Sequence, residues 1–211
     1  MNDVLIIQKI LPKYRKDILD ELHQHINFTL IHAKNKSGIK QVLAPYSKTV
    51  GSFQYSKKES GQILNVFSVF KYILENKPKV VIHEFTIGIL SLIPTYLLAR
   101  LLGIKFILWG HGYDRTKGFY PKKSLKDKLR LYLIKKSDAV IFYGSEAKTL
   151  FSEYVSRDKL FVAFNCLNTK ILSSIRDSIE NEGREKIKNK IGFTNKYNLI
   201  LPLGVWGLGF G

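Results

Sequence analysis

Hydrophobic and polar residues follow one another in blocks along the chain, and the blocks predict alternating strands and helices. Short apolar runs rich in β-branched and aromatic residues are typical of strands buried in a parallel sheet. Seven such runs can be recognised, some continuous and some alternating with polar residues. They cover residues 4–7, 27–32, 50–55, 79–83, 104–109, 139–143 and 159–164.

Between these runs the apolar residues recur at intervals of three and four, which predicts amphipathic helices. The first predicted helix begins near Tyr14. The others cover about 60–75, 87–102, 117–136 and 145–154, the last with Ser145 as its N-cap. Gly103 is predicted to close the helix before it. Strands that alternate with helices at this spacing indicate an α/β fold: a Rossmann-like, doubly wound and mainly parallel sheet.

The composition changes near the carboxyl terminus and predicts a domain boundary. Residues 1–170 form the predicted Rossmann-like domain, and residues 171–197 are polar and charged, as in an interdomain linker or exposed helix. Residues 198–211 begin with a new apolar run, which we interpret as the first strand of a second domain.

Length and composition are those of a globular protein. The chain has 211 residues, of which 45% are hydrophobic and 24% charged. Its single cysteine, Cys166, rules out an intramolecular disulfide, and the first apolar segment is too short for a signal peptide. These features predict a cytoplasmic protein. Residues 85–109 are apolar, but Pro94, Arg100, Gly103 and Lys105 interrupt them, so we predict no membrane span there.

The formal net charge is +17, which favours anionic partners. No nucleic-acid-binding motif is present, and we expect no nucleic-acid partner. Residues 117–136 combine apolar positions with many lysines. They predict either a helix on the anionic inner face of a membrane or an ordinary surface helix packed on the sheet.

Gly110, His111 and Gly112 follow the strand predicted at 104–109. Glycines on both sides of a histidine permit a sharp turn, and ligands of parallel sheets bind at the carboxyl ends of strands. His111 is therefore a candidate for the chemical centre. The alternative is a tight loop with an exposed imidazole.

Three further candidates also lie close to strand ends. Tyr14 and Arg15 come after the first strand, where an arginine can bind an anionic or hydroxyl-rich ligand, or simply remain solvated at the start of a helix. Glu84 ends another strand, where it can accept hydrogen bonds from sugar hydroxyls or cap the next helix. The five histidines and one cysteine lack zinc-like spacing, so we expect no metal site.

The order of several motifs resembles the amino-terminal half of a family 4 glycosyltransferase of the GT-B type, which has two Rossmann-like domains. The resemblance covers roughly residues 1–170. Its motifs are Pro12-x-Tyr14-Arg15, Gly103-x-Lys105 leading to Trp109-Gly110-His111-Gly112, Ser137-Asp138-Ala139-Val140-Ile141 followed by Ser145-Glu146, and Lys159-Leu160-Phe161-Val162 followed by Asn165.

The resemblance implies a hexosyltransferase type of reaction, in which a sugar passes from a nucleotide-sugar to a glycan or lipid-linked acceptor with retention of configuration. It implies no cofactor and no metal beyond the nucleotide-sugar co-substrate. His111 would be catalytic and face the donor sugar, and Gly110, Gly112 and Asn165 would form a donor-facing loop. Tyr14, Arg15 and Glu84 would line the acceptor side.

The chain also departs from the family pattern. Phe164 and Asn168 replace the usual proline and aspartate near the interdomain crossover, and Val205 replaces an arginine after the strand at 198–201. The second domain of the family, which carries most of the donor site, lies outside this sequence, so we expect the chain alone to be inactive. Two other interpretations stay open: a non-enzymatic basic module that binds a membrane surface or polyanion, and another Rossmann-like enzyme such as a sugar-nucleotide epimerase.

Overall fold

The computed structural model describes residues 3–35, 40–53, 62–63, 65–164, 169–183, 186 and 189–190. Within these residues, eight strands form one sheet. In chain order they are β1 (Val4–Gln8), β2 (Phe28–Asn35), β3 (Ser47–Phe53), β4 (Gln62–Ile63), β5 (Val80–Glu84), β6 (Lys105–Gly110), β7 (Ala139–Phe142) and β8 (Leu160–Val162).

The described helices connect or follow these strands. They are α1 (Lys13–His25), α2 (Val66–Asn76), α3 (Leu92–Leu101), α4 (Leu125–Lys136), α5 (Ser145–Phe151) and α6 (Thr169–Glu182), with a short 3-10 helix at Arg157–Lys159. Among them, none combines the length and the hydropathy that crossing a bilayer requires.

The sheet has the strand order β4-β3-β2-β1-β5-β6-β7-β8, and every neighbouring pair except β3–β4 is parallel. The chain runs from β1 outward to one side and returns to place β5 on the other side of β1. This reversal is the topological switch point of a doubly wound sheet, where crevices for ligands form. The predicted Rossmann-like α/β fold is therefore confirmed.

Two hydrophobic clusters cover the two faces of the sheet. One joins alternate strand residues to α2, α3, α4 and α5, and the other joins the intervening strand residues to α1. Phe106 and Phe142 are fully buried in the first cluster, and Leu19 and Phe28 in the second. Because these strands are buried on both faces of the sheet, their sequences are nearly continuous in apolar residues.

Several predicted boundaries are wrong, and local capping explains two of them. Helix α2 begins at Val66 rather than near residue 60, because the Asn65 side chain accepts hydrogen bonds from Phe67 N and Ser68 N. The basic segment 117–136 is helical only from Leu125, because the Ser124 hydroxyl accepts from Asp127 N and caps α4 there.

Two more predictions concern helix starts. Helix α3 begins at Leu92, five residues later than predicted, after two turns closed by backbone hydrogen bonds to Thr86 O and Ile89 O. Ser145 is the first residue of α5 and not its N-cap, which is Gly144. Gly103 follows α3 with φ +68°, as expected for a glycine that ends a helix.

The chain divides into two compact units, Met1–Cys166 and Leu167–Gly211. In the second unit, α6 carries Ile175 and Ile179 exposed to solvent. The predicted strand within 198–211 lies outside the described residues. The proposed division into 1–170, 171–197 and 198–211 stays a prediction.

Candidate functional site

The switch point between β1 and β5 carries a pair of opposite charges. Lys9 follows β1 directly, and Glu84 is the last residue of β5. The backbone N–H of Lys9 donates to Glu84 Oε2 at 2.8 Å, and Lys9 Nζ lies 3.1 Å from Glu84 Oε1. Their side chains are only 18% and 15% exposed, so the two charges neutralise each other away from bulk water.

The environment of Glu84 keeps it ionised. Burial alone raises the pKa of a carboxyl group, but the Lys9 ammonium and backbone N–H, with Arg15, hold the pKa of Glu84 below its usual value. A carboxylate accepts hydrogen bonds and donates none. The alternative role of Glu84 as the cap of the next helix is wrong, since α3 begins after Ser91.

Arg15 lies in the first turn of α1 and points into an aromatic cluster. Its Nη2 donates to the Tyr143 hydroxyl at 2.7 Å. Its Cζ lies 4.9 Å from the ring centre of Tyr143, 5.9 Å from that of Trp109 and 5.8 Å from that of Tyr14. Cation–π contacts of this kind orient a guanidinium, so Arg15 is a fixed charge and not a solvated helix-start residue.

Tyr143 connects Arg15 with His111. Burial raises the pKa of the Tyr143 hydroxyl to about 12, so this hydroxyl is protonated at neutral pH. It can therefore donate a hydrogen bond to a ligand. The His111 ring meets the Tyr143 ring edge-on, with 4.9 Å between centroids. Arg15, Tyr143 and His111 therefore form a continuous row along the carboxyl edge of the sheet.

His111 is half-buried among positive charges. Burial, reinforced by Arg115 and Arg15, lowers the pKa of His111 below its usual value, and the imidazole is neutral at pH 7. A neutral imidazole can donate a hydrogen bond from one nitrogen and accept one at the other. An open cleft beside it is lined by His111, Tyr113, Arg115, Tyr143, Gly144, Glu146 and Ala147.

Gly110 and Gly112 are required by contacts within the protein. A Cβ on Gly110 would lie 3.0 Å from the carbonyl oxygen of Phe85. Gly112 has φ +82°, and a Cβ there would lie 2.7 Å from the rings of both Phe142 and Phe151. The two glycines thus let the loop pack tightly, while their contact with a donor stays a prediction.

Trp109 adds an unused hydrogen-bond donor. Its Nε1 is buried and has no hydrogen-bond partner in the described part of the chain. Its ring faces the Arg15 guanidinium and lies 6.2 Å from Tyr143. Buried N–H groups usually have partners, which makes this one a candidate donor to a ligand.

The structure brings together most of the residues that the sequence singles out. Arg15, Glu84 and His111 surround the same edge, and Tyr14 lies beside Arg15. Asn165 lies outside the described residues. Across the residues that are described, no three His, Cys, Asp or Glu side chains gather as a metal-binding group.

Four residues of the site were missed by the sequence reasoning: Lys9, Trp109, Tyr143 and Arg115. Lys9 and Tyr143 each come directly after a strand, as Glu84 and His111 lie at strand ends. Applying the strand-end rule to every parallel strand would have identified both. Arg115 lies in the loop after β6 and carries no comparable signal.

The sequence matches no family model and no curated protein. Among solved structures, UDP-N-acetylglucosamine 2-epimerase from Rickettsia bellii matches 92% of this chain and 52% of its own, with 18% identity and a TM-score of 0.52. UDP-GlcNAc 2-epimerase from Neisseria meningitidis, bound to UDP-GlcNAc, matches 92% of this chain and 55% of its own, with 17% identity and a TM-score of 0.51.

A third structure is that of the Methanocaldococcus jannaschii UDP-GlcNAc 2-epimerase in complex with UDP-GlcNAc and UDP. It matches 90% of this chain and 53% of its own, with 18% identity and a TM-score of 0.51. At this level of identity the likeness is one of fold. The chain spans about half the length of each of these proteins.

Proposed function

We propose that this chain forms one wall of the active site of an enzyme that acts on nucleotide-sugars. The observation that carries the proposal is the charge cluster at the switch point. Lys9 and Arg15 lie beside Glu84, and Arg115 lies near His111. These three cations outnumber the carboxylates Glu84 and Glu146 at the described edge, so the edge attracts an anion such as a diphosphate. Ionised Glu84 and neutral His111 supply the hydrogen bonds that sugar hydroxyls need.

The reaction that we propose first is glycosyl transfer with retention. The bond between the sugar's anomeric carbon and the diphosphate oxygen breaks, and a bond from that carbon to an acceptor hydroxyl oxygen forms. The hydroxyl proton passes to the departing nucleoside diphosphate. The motif order around Trp109-Gly110-His111-Gly112 supports this choice over other reactions of nucleotide-sugars.

The site residues have separate roles in this reaction. His111 faces the transferred sugar, with Gly110 and Gly112 holding its loop. Arg15, Tyr14 and Glu84 bind the glycan or lipid-linked acceptor, and the Lys9 pair keeps Glu84 ionised. We propose no cofactor and no metal beyond the nucleotide-sugar.

A second wall is part of the proposal. The chain corresponds to about half of the solved structures that it matches. We therefore expect the 211-residue chain to bind a nucleotide-sugar weakly and to turn none over. A closed cleft between two walls would also exclude water and protect the donor from hydrolysis.

Two-dimensional NMR of the isotope-labelled 211-residue chain, titrated with UDP-GlcNAc, tests binding at this edge. We expect shifts for His111, Trp109 and Tyr143 signals, and loss of these shifts in His111→Ala. The matched control is His25→Ala, which removes an exposed histidine far from the loop in sequence. Salt-sensitive binding of polyanions, with no response to UDP-GlcNAc, would instead favour a non-enzymatic basic module and refute the proposal.

Epimerisation is the second candidate, because the solved structures with this fold are titled UDP-GlcNAc 2-epimerases. Here a proton leaves and returns to a sugar carbon, and the nucleotide-sugar stays intact apart from that inversion. Product analysis on a chain of full enzyme length distinguishes the two reactions. Free UDP that appears only with an acceptor supports transfer, and the C2 epimer formed without an acceptor supports epimerisation.

A further inference from the structure

Helix α3 faces solvent with apolar side chains. Ile93, Leu97 and Leu101 are spaced by four residues and lie on one side of the helix. Leu97 is 59% exposed and Leu101 is 82% exposed. Solvent-facing sides of helices are usually polar, so this side of α3 departs from the ordinary pattern. We call these three residues the α3 ridge.

The inward side of α3 makes the departure clearer. Thr95 and Ala99 are fully buried against the sheet, and the Thr95 hydroxyl has no hydrogen-bond partner in the described part of the chain. The helix therefore buries the Thr95 hydroxyl together with Leu92, Tyr96 and Ala99, while it exposes an isoleucine and two leucines. Three exposed aliphatic side chains on one side of a helix contribute little to the stability of the unit by itself, which indicates a partner for the ridge.

The helices next to α3 extend the apolar surface. Helices α2, α3 and α4 cover the same face of the sheet, since all three contribute to one hydrophobic cluster. Phe67 of α2 is 84% exposed and Leu125 of α4 is 80% exposed.

The charges on these three helices identify the partner. They carry six exposed basic residues and one exposed acid, Glu75, which pairs with Lys71, and Arg100 pairs with Asp138, two residues after α4. The exposed basic residues are Lys71, Arg100, Lys126, Lys128, Lys135 and Lys136. A second copy of the chain would present the same positive charge and be repelled, whereas anionic lipid head groups would be attracted.

We propose that the α3 ridge, with the basic residues of α2, α3 and α4 around it, docks on an anionic membrane surface. The leucines enter the interface between head groups and acyl chains, and the lysines contact the head groups. This surface differs from the basic segment predicted at 117–136, which contributes only the α4 lysines to the basic residues around the ridge. The ridge begins nine residues after Glu84, so docking brings the carboxyl edge of the sheet close to the lipid.

Vesicle sedimentation of the 211-residue chain tests the proposal. Vesicles of phosphatidylcholine and phosphatidylglycerol at about 3:1 supply the anionic surface, and pure phosphatidylcholine is the lipid control. The double variant Leu97→Gln/Leu101→Gln should bind the anionic vesicles at least about tenfold more weakly than the unchanged chain. Because all variants share the rest of the sequence and its charge, the difference reports the ridge.

Leu43→Gln is the matched protein control. Leu43 is also well exposed, but it lies next to residues of the cluster on the opposite face of the sheet. The Leu43→Gln variant should bind the anionic vesicles with an affinity within about twofold of that of the unchanged chain. Thermal melts monitored by circular dichroism should be alike for all variants, since the substituted leucines are exposed.

Equal binding of the ridge variant and the unchanged chain would overturn the proposal. Stronger binding to pure phosphatidylcholine than to the anionic vesicles would also overturn it, because the charge argument would then be wrong. A dimer in light scattering that the ridge variant abolishes, with vesicle binding unchanged, would assign the ridge to a second copy instead.

Discussion

The carboxyl edge of the sheet and the α3 ridge both invert the usual placement of side chains, but in opposite ways. The edge holds Lys9 and Glu84 largely away from water, and each charge is met by the other. The ridge exposes Ile93, Leu97 and Leu101 on the face of α3 that points away from the sheet. The charged edge is satisfied within the unit, whereas the ridge leaves its apolar area in contact with water.

This difference teaches how the two regions respond to substitution. Removing one member of a satisfied charged or tightly packed set leaves a defect inside the protein, and the free energy of unfolding falls. Removing an exposed leucine leaves no such defect. We therefore expect edge substitutions to reduce stability and ridge substitutions to reduce only association with a partner.

The largest contrast is expected between Gly112 at the edge and Gly103 at the end of the ridge helix. Both have positive φ, but a Cβ on Gly112 meets two phenylalanine rings and a Cβ on Gly103 meets nothing within 4 Å. Gly112→Ala should lower the free energy of unfolding by about 4 kcal/mol and Gly103→Ala by about 1 kcal/mol. Urea unfolding measures the free energy of unfolding of both variants. Equal losses would show that backbone strain alone accounts for them and that the contact with the phenylalanine rings does not.

A histidine inside the sheet should produce the next largest effect. His83 is fully buried, with Nε2 3.1 Å from the Ser91 hydroxyl, and burial lowers its pKa from 6.5 to about 4. The unfolded chain binds this proton more readily, so stability is complete above pH 6.5 and falls as the pH drops toward 4. The loss should be about 3 kcal/mol.

Stability measured by urea unfolding between pH 7 and 4 checks this expectation. His83→Gln should remove this part of the pH dependence, and His25→Gln, which changes an exposed histidine, should leave it in place. A pH profile that is the same for His83→Gln and the unchanged chain would show that another group is responsible.

The charge pair at the switch point should have a smaller effect, since it retains some contact with solvent. Lys9→Met leaves Glu84 without its ammonium partner and should lower the free energy of unfolding by about 2 kcal/mol at pH 7. The ridge substitution Leu101→Gln should change it by less than about 0.5 kcal/mol. Urea unfolding of both variants makes the comparison, and a loss as large in Leu101→Gln would contradict it.

The pH dependence of this pair has a definite sign. The folded-state pKa of Glu84 lies below its usual value, so its contribution to stability is present above pH 4.5 and is lost as the pH falls through the folded pKa. Lys9→Met should reduce the loss of unfolding free energy that occurs as the pH falls through the folded-state pKa of Glu84.

The smallest effect is expected for ligand binding at Arg15, and it rests on the proposed function. Arg15→Lys keeps the charge but loses the planar guanidinium among Tyr14, Trp109 and Tyr143. The substitution also removes the hydrogen bond to Tyr143, whose ring contacts the donor-facing His111. Binding of UDP-GlcNAc, followed by NMR titration, should therefore weaken about tenfold. Lys13→Met, at an exposed position in the same turn, should change it by less than about twofold, and a larger change there would indicate general charge attraction.

Much of the fold could be predicted because the period of the hydrophobic pattern is a local property. Continuous apolar runs marked β1, β5, β6 and β7 correctly, and their spacing indicated the doubly wound sheet. The starts of α2 and α4 could not be placed by periodicity, because the caps Asn65 and Ser124 end the preceding loops within longer apolar patterns. Capping depends on one side chain and its backbone partners, which a period does not contain.

The candidate site was predictable in part for the same reason. His111, Arg15 and Glu84 stand close to strand ends, which the sequence marks. Lys9 and Tyr143 also stand directly after strands, so the strand ends mark their positions but not their partners: Lys9 and Glu84 are separated by 75 residues, and Arg15 and Tyr143 by 128. No local pattern relates such positions, and only the parallel pairing of the strands brings them together.

The sequence by itself determined that strands and helices alternate and that a histidine between two glycines ends a strand. Only the tertiary structure decided which partners the site charges find and which side of α3 faces outward. The helical period of α3 is compatible with either side being buried. Packing against the sheet selects Leu92, Tyr96 and Ala99 for the interior, and this choice leaves Leu97 and Leu101 in water.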